Sequence, residues 1–181
     1  MNDRDFILSL VACGAVKFGT FTLASGKASD YYVDIKKAAT RPELLWEIAR
    51  RMSPHAKGYQ RIAGVELGAV PIAAAVSLET GIPFLIVRKE AKDHGTRSPF
   101  EGELHAGDRI VFVEDVVTTG GTLRKAIERM RAAGAVVERA IAVVDREEGG
   151  AEALREASVE LVAILRARDL SPGDTVGQTS K

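Results

Sequence analysis

The chain has 181 residues, the length of a single domain, and its 25 lysines and arginines balance its 25 aspartates and glutamates. A net charge of zero argues against a protein that binds nucleic acid through an overall positive surface. The single cysteine, Cys13, excludes an intrachain disulfide and fits a reducing compartment, so we expect a cytoplasmic protein. Because no apolar run approaches the length of a membrane span, we expect no membrane partner.

The first forty residues predict one helix followed by irregular structure. Gly14 suits the C-cap of this helix, and residues 18–39 lack a helical period. We predict that residues 18–39 form turns and an extended stretch over 31–35, which lies outside the main sheet. The apolar residues on one face of the first helix are Phe6, Ile7, Leu10 and Val11.

Helical and strand-like segments alternate from residue 40 onward. Thr40 to Glu43 has the pattern of a capping box, and Leu44, Leu45, Ile48, Ala49 and Met52 follow at helical spacing. This alternation predicts an α/β fold, with a parallel sheet covered by helices on both faces, in a single domain over residues 1–181. Further helices are predicted after Pro71, over 122–133 and around 151–157, and buried strands over 61–65, 84–87, 110–113, 140–144 and 159–165.

The most informative segment is 111–122, where a buried strand leads through two acids into a threonine- and glycine-rich loop. Ligands of open parallel sheets bind beyond the carboxyl ends of the strands, and the next helix offers free N–H groups to a phosphate. The segment matches neither a Walker A loop, which needs a lysine, nor the dinucleotide-binding glycine pattern. The candidate binding residues are Glu114, Asp115, Val116, Val117, Thr118, Thr119, Gly120, Gly121 and Thr122.

The two acids indicate what else this loop binds. Glu114 and Asp115 would repel a phosphate unless they held hydroxyl groups or a metal ion. A ribose 5-phosphate offers its phosphate to the loop and its 2′ and 3′ hydroxyls to the acids. The alternative is a surface turn whose threonines merely cap the helix, but such a turn needs neither two acids nor two glycines.

Residues 113–122 resemble the motif that binds phosphoribosyl pyrophosphate (PRPP) in the type I phosphoribosyltransferases. The resemblance implies the type I phosphoribosyltransferase fold, with a central parallel sheet, helices on both faces and a small N-terminal hood. Residues 18–39 would contribute to this hood.

A long connection without periodicity, residues 89–105, follows the predicted strand over 84–87. Connections of this kind are commonly functional or disordered, and Gly95 and Gly102 would let this one move as a lid. Its cations could neutralise a leaving pyrophosphate, although a solvated charge run is the alternative. Four cations cluster within seven residues at its start: Arg88, Lys89, Lys92 and His94.

The run from Arg88 to Gly95 resembles the catalytic loop of orotate phosphoribosyltransferases, and other type I transferases have different sequences here. This resemblance implies that the four cations bind PRPP. It also implies catalytic roles for Lys92, His94 and Asp115.

Two further segments are similar to this family. Residues 21–34 resemble its hood, and residues 143–147 resemble the strand end whose arginine contacts orotate. The resemblance assigns Arg146 and Thr118 to orotate, and a planar guanidinium suits the carboxylate of that base. The alternative for Arg146 is a surface ion pair with Glu147 or Glu148, which would contribute little.

Two positions depart from the family pattern. Many members have a lysine in place of Ala24, where it reaches the substrate, and many have a lysine in place of Gly68. Gly68 lies in the turn 64–71, which matches the family's pyrophosphate loop in position. We interpret both changes as a subfamily difference of shorter, archaeal-type members, in which this turn contacts the substrate through backbone N–H groups.

The resemblance therefore implies an enzyme of pyrimidine (UMP) biosynthesis that transfers the 5-phosphoribosyl group from PRPP to orotate. It also implies Mg²⁺, held mainly by PRPP and water, and a homodimer whose lid loop reaches the partner's site. Two alternatives remain. A transferase for another base would not need the cationic loop, and a PRPP-sensing regulator would carry a DNA-binding segment or lack the loop cations. The part before residue 18 holds one helix, too little for a helix-turn-helix.

Overall fold

The computed structural model describes residues 1–22, 26, 28–89 and 98–170 of the chain. Its elements follow the alternation that the sequence predicts after residue 40. In chain order they are α1 (Asp3–Ala12), β1 (Val16–Thr22), β2 (Ala28–Val33), α2 (Lys36–Ala39), α3 (Pro42–Ala56), β3 (Arg61–Val65), α4 (Val70–Thr80), β4 (Phe84–Val87), β5 (Phe100–Glu101), β6 (Arg109–Val117), α5 (Gly121–Ala132), β7 (Val136–Asp145), α6 (Gly150–Glu156), β8 (Glu160–Arg166) and a 3₁₀ turn (Ala167–Asp169).

The main sheet has six strands in the order β5-β4-β3-β6-β7-β8. All neighbours pair in parallel except β5, a short edge strand that is antiparallel to β4 and was not predicted. Val111 and Val113 of β6 pack with α1, α3 and α4, whereas Ile110 and Phe112 pack with α5 and α6. Because helices cover both faces, the predicted α/β fold is confirmed.

The two central strands that carry the candidate site are longer than the sequence predicts. β6 pairs with β7 from Arg109↔Val136 to Val117↔Asp145, beyond the apolar runs 110–113 and 140–144. Pairing along the whole length stabilises polar residues in strand conformation, which an apolar pattern alone does not reveal. As a result, Glu114 and Asp115 lie within the paired part of β6.

An antiparallel hairpin of β1 and β2 lies outside the main sheet, in the segment that the resemblance assigns to a hood, and we call this hairpin the hood. Its strands pair from Val16↔Val33 to Thr22↔Ala28. The prediction of an extended stretch over 31–35 was wrong at both ends, because β2 spans Ala28–Val33 and Ile35 is the N-cap of α2. The cross-strand pairing that sets these bounds is not visible in β2 alone.

The predicted capping box at the start of α3 does not form, although the helix does. The N-cap is Arg41, without a side-chain hydrogen bond, and the hydroxyl of Thr40 donates to Lys37 O at 3.0 Å. α2 ends directly before this point, so Thr40 serves the preceding turn instead. The predicted apolar face of α3 is otherwise present, with Glu47 buried beside it and paired with Arg50 and Arg51.

None of the helices in the described ranges is long and apolar enough to cross a bilayer.

Candidate active site

The carboxyl end of β6, the loop after it and the first turn of α5 enclose a cavity of about 210 Å³. Its position agrees with the rule that ligands of parallel sheets bind beyond the carboxyl ends of the strands. The lining is the set predicted from the sequence, extended by one residue: Glu114, Asp115, Val116, Val117, Thr118, Thr119, Gly120, Gly121, Thr122 and Leu123.

The loop has the backbone geometry of an anion site. Gly120 is the N-cap of α5 and has φ +75°, a left-handed conformation that glycine adopts without strain. The first turn of α5 has no acidic residue, so its free N–H groups and positive dipole end face the cavity without competition from a carboxylate in that turn. Since the N-cap has no side chain, the alternative of a turn whose threonines only cap the helix does not describe this loop.

The loop rests directly on the start of α6. A Cβ atom at Gly150 would lie 2.4 Å from Val117 Cγ1 and 2.5 Å from the carbonyl oxygen of Thr118. Gly120 also approaches Gly150 closely, with 3.2 Å between its would-be Cβ and Gly150 O. Glycine at 150 therefore lets the loop sit against α6, a role that sequence analysis missed because the contact is between distant segments.

The two acids are held by backbone N–H groups. Glu114 Oε1 accepts from Asp115 N at 3.1 Å, and Asp115 Oδ1 accepts from Val116 N at 2.8 Å. Burial raises the pKa of Glu114 well above its usual value, and the neighbouring Asp115 raises it further. Without a ligand, Glu114 therefore favours its neutral form more than an exposed glutamate does.

Glu114→Gln is expected to stabilise the protein at about pH 8 and to change its stability little below pH 4.5, the ordinary pKa of glutamate. An acid with a raised pKa contributes stability that is complete at low pH and is lost as the pH rises through its folded-state pKa. Glutamine stays neutral throughout and still offers Oε1 to Asp115 N. Thermal denaturation at the two pH values checks this, and an equal shift in Tm at both would contradict it.

The turn 66–69, after β3, packs against the acid pair. A Cβ atom at Gly68 would lie 2.3 Å from Asp115 Oδ2, so a larger residue here would displace that carboxylate. The Glu66–Leu67 peptide bond in this turn is cis. The departure from the family pattern at Gly68 thus coincides with a close contact between the turn and Asp115.

Arg146 connects the hood to the phosphate loop. It is buried at the end of β7, and its backbone N–H donates to Val117 O at 2.9 Å. Its guanidinium donates to Ser29 Oγ at 3.4 Å and lies 4.8 Å from the ring centroid of Tyr31. Glu148, one of the two ion-pair partners considered from the sequence, lies 2.9 Å from its Nε. The arginine of this ion pair is buried, whereas Glu148 remains partly exposed.

The predicted loop cations are described only in part. Arg88 forms an ion pair with Glu101 of β5, and Lys89 is exposed. Lys92 and His94 lie outside the described residues, as does Ala24, so their predicted roles stay predictions.

Lys36, which begins α2 below the hood, was not singled out from the sequence. Its Nζ lies 2.9 Å from Asp34 Oδ1, and this hydrogen bond raises the pKa of Lys36, with a smaller contribution from the charge of Asp115. A lysine at a helix start carries no motif, and only the folded chain brings it near the acid pair.

Residues 44–162 match the family model of the phosphoribosyl transferase domain. Together with the sheet order and the phosphate loop, this match defines a phosphoribosyltransferase.

Individual relatives narrow the class. The orotate phosphoribosyltransferase of Methanosarcina mazei is 56% identical over 171 residues, which cover 93% of this chain and 91% of the relative. The crystal structure of the orotate phosphoribosyltransferase of Aeropyrum pernix matches with a TM-score of 0.85 at 32% identity, over 96% of this chain and 99% of that one. The crystal structure of the enzyme of Mycobacterium tuberculosis H37Rv in complex with PRPP matches with a TM-score of 0.76 at 31% identity, over 93% of this chain and 99% of that one. The chain belongs to the orotate phosphoribosyltransferase family.

Proposed function

We propose that this protein transfers the 5-phosphoribosyl group from PRPP to orotate in pyrimidine (UMP) biosynthesis. A bond forms between N1 of orotate and C1′ of the ribose, the bond from C1′ to the pyrophosphate oxygen breaks, and the N1 proton is released. The products are orotidine 5′-monophosphate and pyrophosphate. The observation that carries the proposal is the hydrogen bond from Arg146 N to Val117 O, which joins the candidate base site to the phosphate loop.

The loop and the acid pair bind the ribose 5-phosphate part of PRPP in this proposal. The N–H groups at the start of α5 and the threonine hydroxyls hold the phosphate, while Glu114 and Asp115 accept hydrogen bonds from the ribose hydroxyls. Binding of those hydroxyls offsets the burial of the acids, because each carboxylate gains a donor. Asp115 is the acid of this pair that packs against the turn 66–69.

The base and the leaving group are held by other residues. Arg146 and Thr118 bind orotate beneath the hood, and Arg88, Lys89, Lys92 and His94 neutralise the departing pyrophosphate. The protein's part in the reaction is orientation, charge neutralisation and exclusion of water.

Mg²⁺ fits this site as a cofactor. Glu114 and Asp115 supply hard oxygen donors beside the phosphate loop, and Mg²⁺ keeps several waters and binds substrate phosphates readily. The ion would be held mainly by PRPP oxygens and water, with these carboxylates nearby. When bound, it neutralises charge on the diphosphate.

A homodimer is supported by apolar side chains that the described chain leaves uncovered. Leu78 of α4 is 88% exposed and Trp46 of α3 is 58% exposed, although both helices bury their other faces against the sheet. Large exposed apolar side chains on neighbouring helices are typical of an interface between copies. We propose that these helices form the dimer contact and that each lid loop acts in the partner's site.

Leu78→Arg is expected to convert the dimer to a monomer, because it places an unpaired charge in the contact. Val136→Arg is the matched control, since Val136 is also partly exposed but begins β7, at the opposite end of the strand from the site. Sedimentation velocity measures the state of each variant. A dimeric Leu78→Arg protein would exclude this face as the contact.

Subunit exchange between two variants, assayed at low PRPP where each is nearly inactive, tests whether the lid acts across subunits. Lys92→Ala removes a lid cation and Asp115→Asn removes an acid of the fixed site. If the lid acts in the partner's site, a mixed dimer has one site with both defects and one with neither, so activity returns. If each lid serves its own subunit, every site keeps one defect and the mixture stays inactive, provided that exchange is verified with labelled subunits.

The activity itself is tested by incubating purified protein with PRPP, orotate and Mg²⁺. We expect the orotate absorbance to fall while orotidine 5′-monophosphate and pyrophosphate appear in equal amounts. Failure to form the nucleotide, with PRPP still bound, would favour a PRPP-sensing regulator.

A further inference from the structure

Glu66 joins two segments that the proposed function assigns to PRPP. It directly follows β3, and its backbone N–H donates to Val87 O at 2.9 Å, which continues the pairing of β3 with β4 by one step. Its side chain reaches the segment after β4, where Oε1 accepts a hydrogen bond from Lys89 N at 2.9 Å. A carboxylate acceptor makes this hydrogen bond stronger than one between neutral groups.

The backbone carbonyl group of Lys89 is hydrogen-bonded as well. Arg129 of α5 donates from Nη1 to the carbonyl oxygen of Lys89 at 3.3 Å. Two charged side chains, one from the turn after β3 and one from the helix after the phosphate loop, therefore bind the N–H and the C=O of one residue. Lys89 itself remains exposed, so burial does not account for these two contacts.

The same turn touches the acid pair. Gly68, two residues after Glu66, packs against the carboxylate of Asp115, where an added Cβ would lie 2.3 Å from Oδ2. Within three residues, the turn thus contacts both an acid of the ribose site and the backbone at the start of the cationic segment. A shift of the turn would change the distance between them.

We propose that Glu66 is a positioning residue for PRPP. Its hydrogen bond fixes the Lys89 backbone against the turn 66–69 and so keeps the distance between the cations at 88–89 and the acid pair constant. The proposal rests on the function proposed above. Fixing the backbone before binding reduces the conformational freedom that PRPP would otherwise have to remove. The effect should therefore fall on PRPP and not on orotate, because Arg146 and the hood do not contact this turn in any hydrogen bond described.

Two variants of Glu66 separate positioning from folding. Glu66→Ala removes the acceptor and should weaken PRPP binding about tenfold, the loss typical of one charge-assisted hydrogen bond. Glu66→Gln keeps an oxygen at the same place and should restore most of that loss. Glu128→Ala, which removes a surface acid of α5 that pairs with Arg124, is the matched control and should bind PRPP like the parent protein.

The proposal is tested by measuring the Kd for PRPP by isothermal titration calorimetry, the KM for each substrate and the Tm of each variant. A higher Kd and KM for PRPP, an unchanged KM for orotate and rescue by glutamine support it. Equal losses for both substrates, or a loss that follows Tm in both Glu66 variants, would show a purely structural contact and overturn it, as would unchanged PRPP binding in Glu66→Ala.

Arg129→Ala provides a second test of the same arrangement. If both side chains act by holding Lys89, the double variant should lose less PRPP affinity than the two single losses combined. Fully additive losses would overturn the shared role. A protein that binds PRPP but transfers the phosphoribosyl group to no base would refute the proposed function. The role of Glu66 could still be tested in that case, because PRPP binding is measured directly.

Discussion

Asp115→Asn is expected to weaken PRPP binding far more than orotate binding. Asp115 accepts a hydrogen bond from Val116 N through one oxygen and faces the turn at Gly68 with the other. The substitution keeps the shape but removes the charge that strengthens hydrogen bonds from ribose hydroxyls. We expect Kd and KM for PRPP to rise about tenfold to a hundredfold.

Glu138→Gln provides the matched control for this change. Glu138 is an exposed acid of β7 that pairs with Arg109, away from the cavity, and its loss should leave PRPP binding intact. Calorimetric titration with PRPP and steady-state kinetics for both substrates measure the effect. Equal losses for PRPP and orotate would point to a general disturbance of the site and contradict the ribose role of Asp115.

Arg146→Ala is expected to narrow the preference for orotate over uracil by about a hundredfold. Uracil lacks the carboxylate that a guanidinium binds with two parallel hydrogen bonds, and such charged hydrogen bonds contribute strongly to discrimination. Arg146→Lys should retain part of the preference, because lysine keeps the charge without the planar fork. The ratio of kcat/KM for the two bases is the measurement.

Arg168→Ala separates this role from a general loss of positive charge. Arg168 pairs with Glu147 close to Arg146 in sequence, but its side chain is 66% exposed. Its removal should leave the orotate preference unchanged. If the preference also survives in Arg146→Ala, the carboxylate is recognised elsewhere, for example by backbone N–H groups near the hood.

The parts of the fold that local sequence determines were predictable. Apolar runs of four or five residues identify β3 and β4 with their observed bounds, and the helix predicted over 122–133 is present as α5, which buries Leu123, Ala126, Ile127 and Met130. The phosphate loop is also local, since its acids, threonines and glycines lie within ten consecutive residues. Its composition therefore reveals its chemistry before any tertiary contact is known.

Features that depend on distant segments were not predictable in this way. The contact of Gly150 with the phosphate loop, the hydrogen bond from Lys89 N to Glu66 and the approach of Lys36 to Asp115 each join residues far apart in the chain. The edge strand β5 is only two residues long, and its pairing with β4 is visible only in the sheet. None of these carries a periodic or compositional signal, because only one or two residues make each contact.

The preference among bases tests whether the protein transfers the phosphoribosyl group to orotate. The purified protein is given PRPP and Mg²⁺ with orotate, uracil, adenine or hypoxanthine in turn, and kcat/KM is measured for each base. The site described here predicts efficient transfer to orotate and transfer to the other bases that is slower by orders of magnitude, since only orotate offers a carboxylate to Arg146. Faster transfer to a purine or to uracil, or binding of PRPP without transfer to any base, would contradict the proposed function.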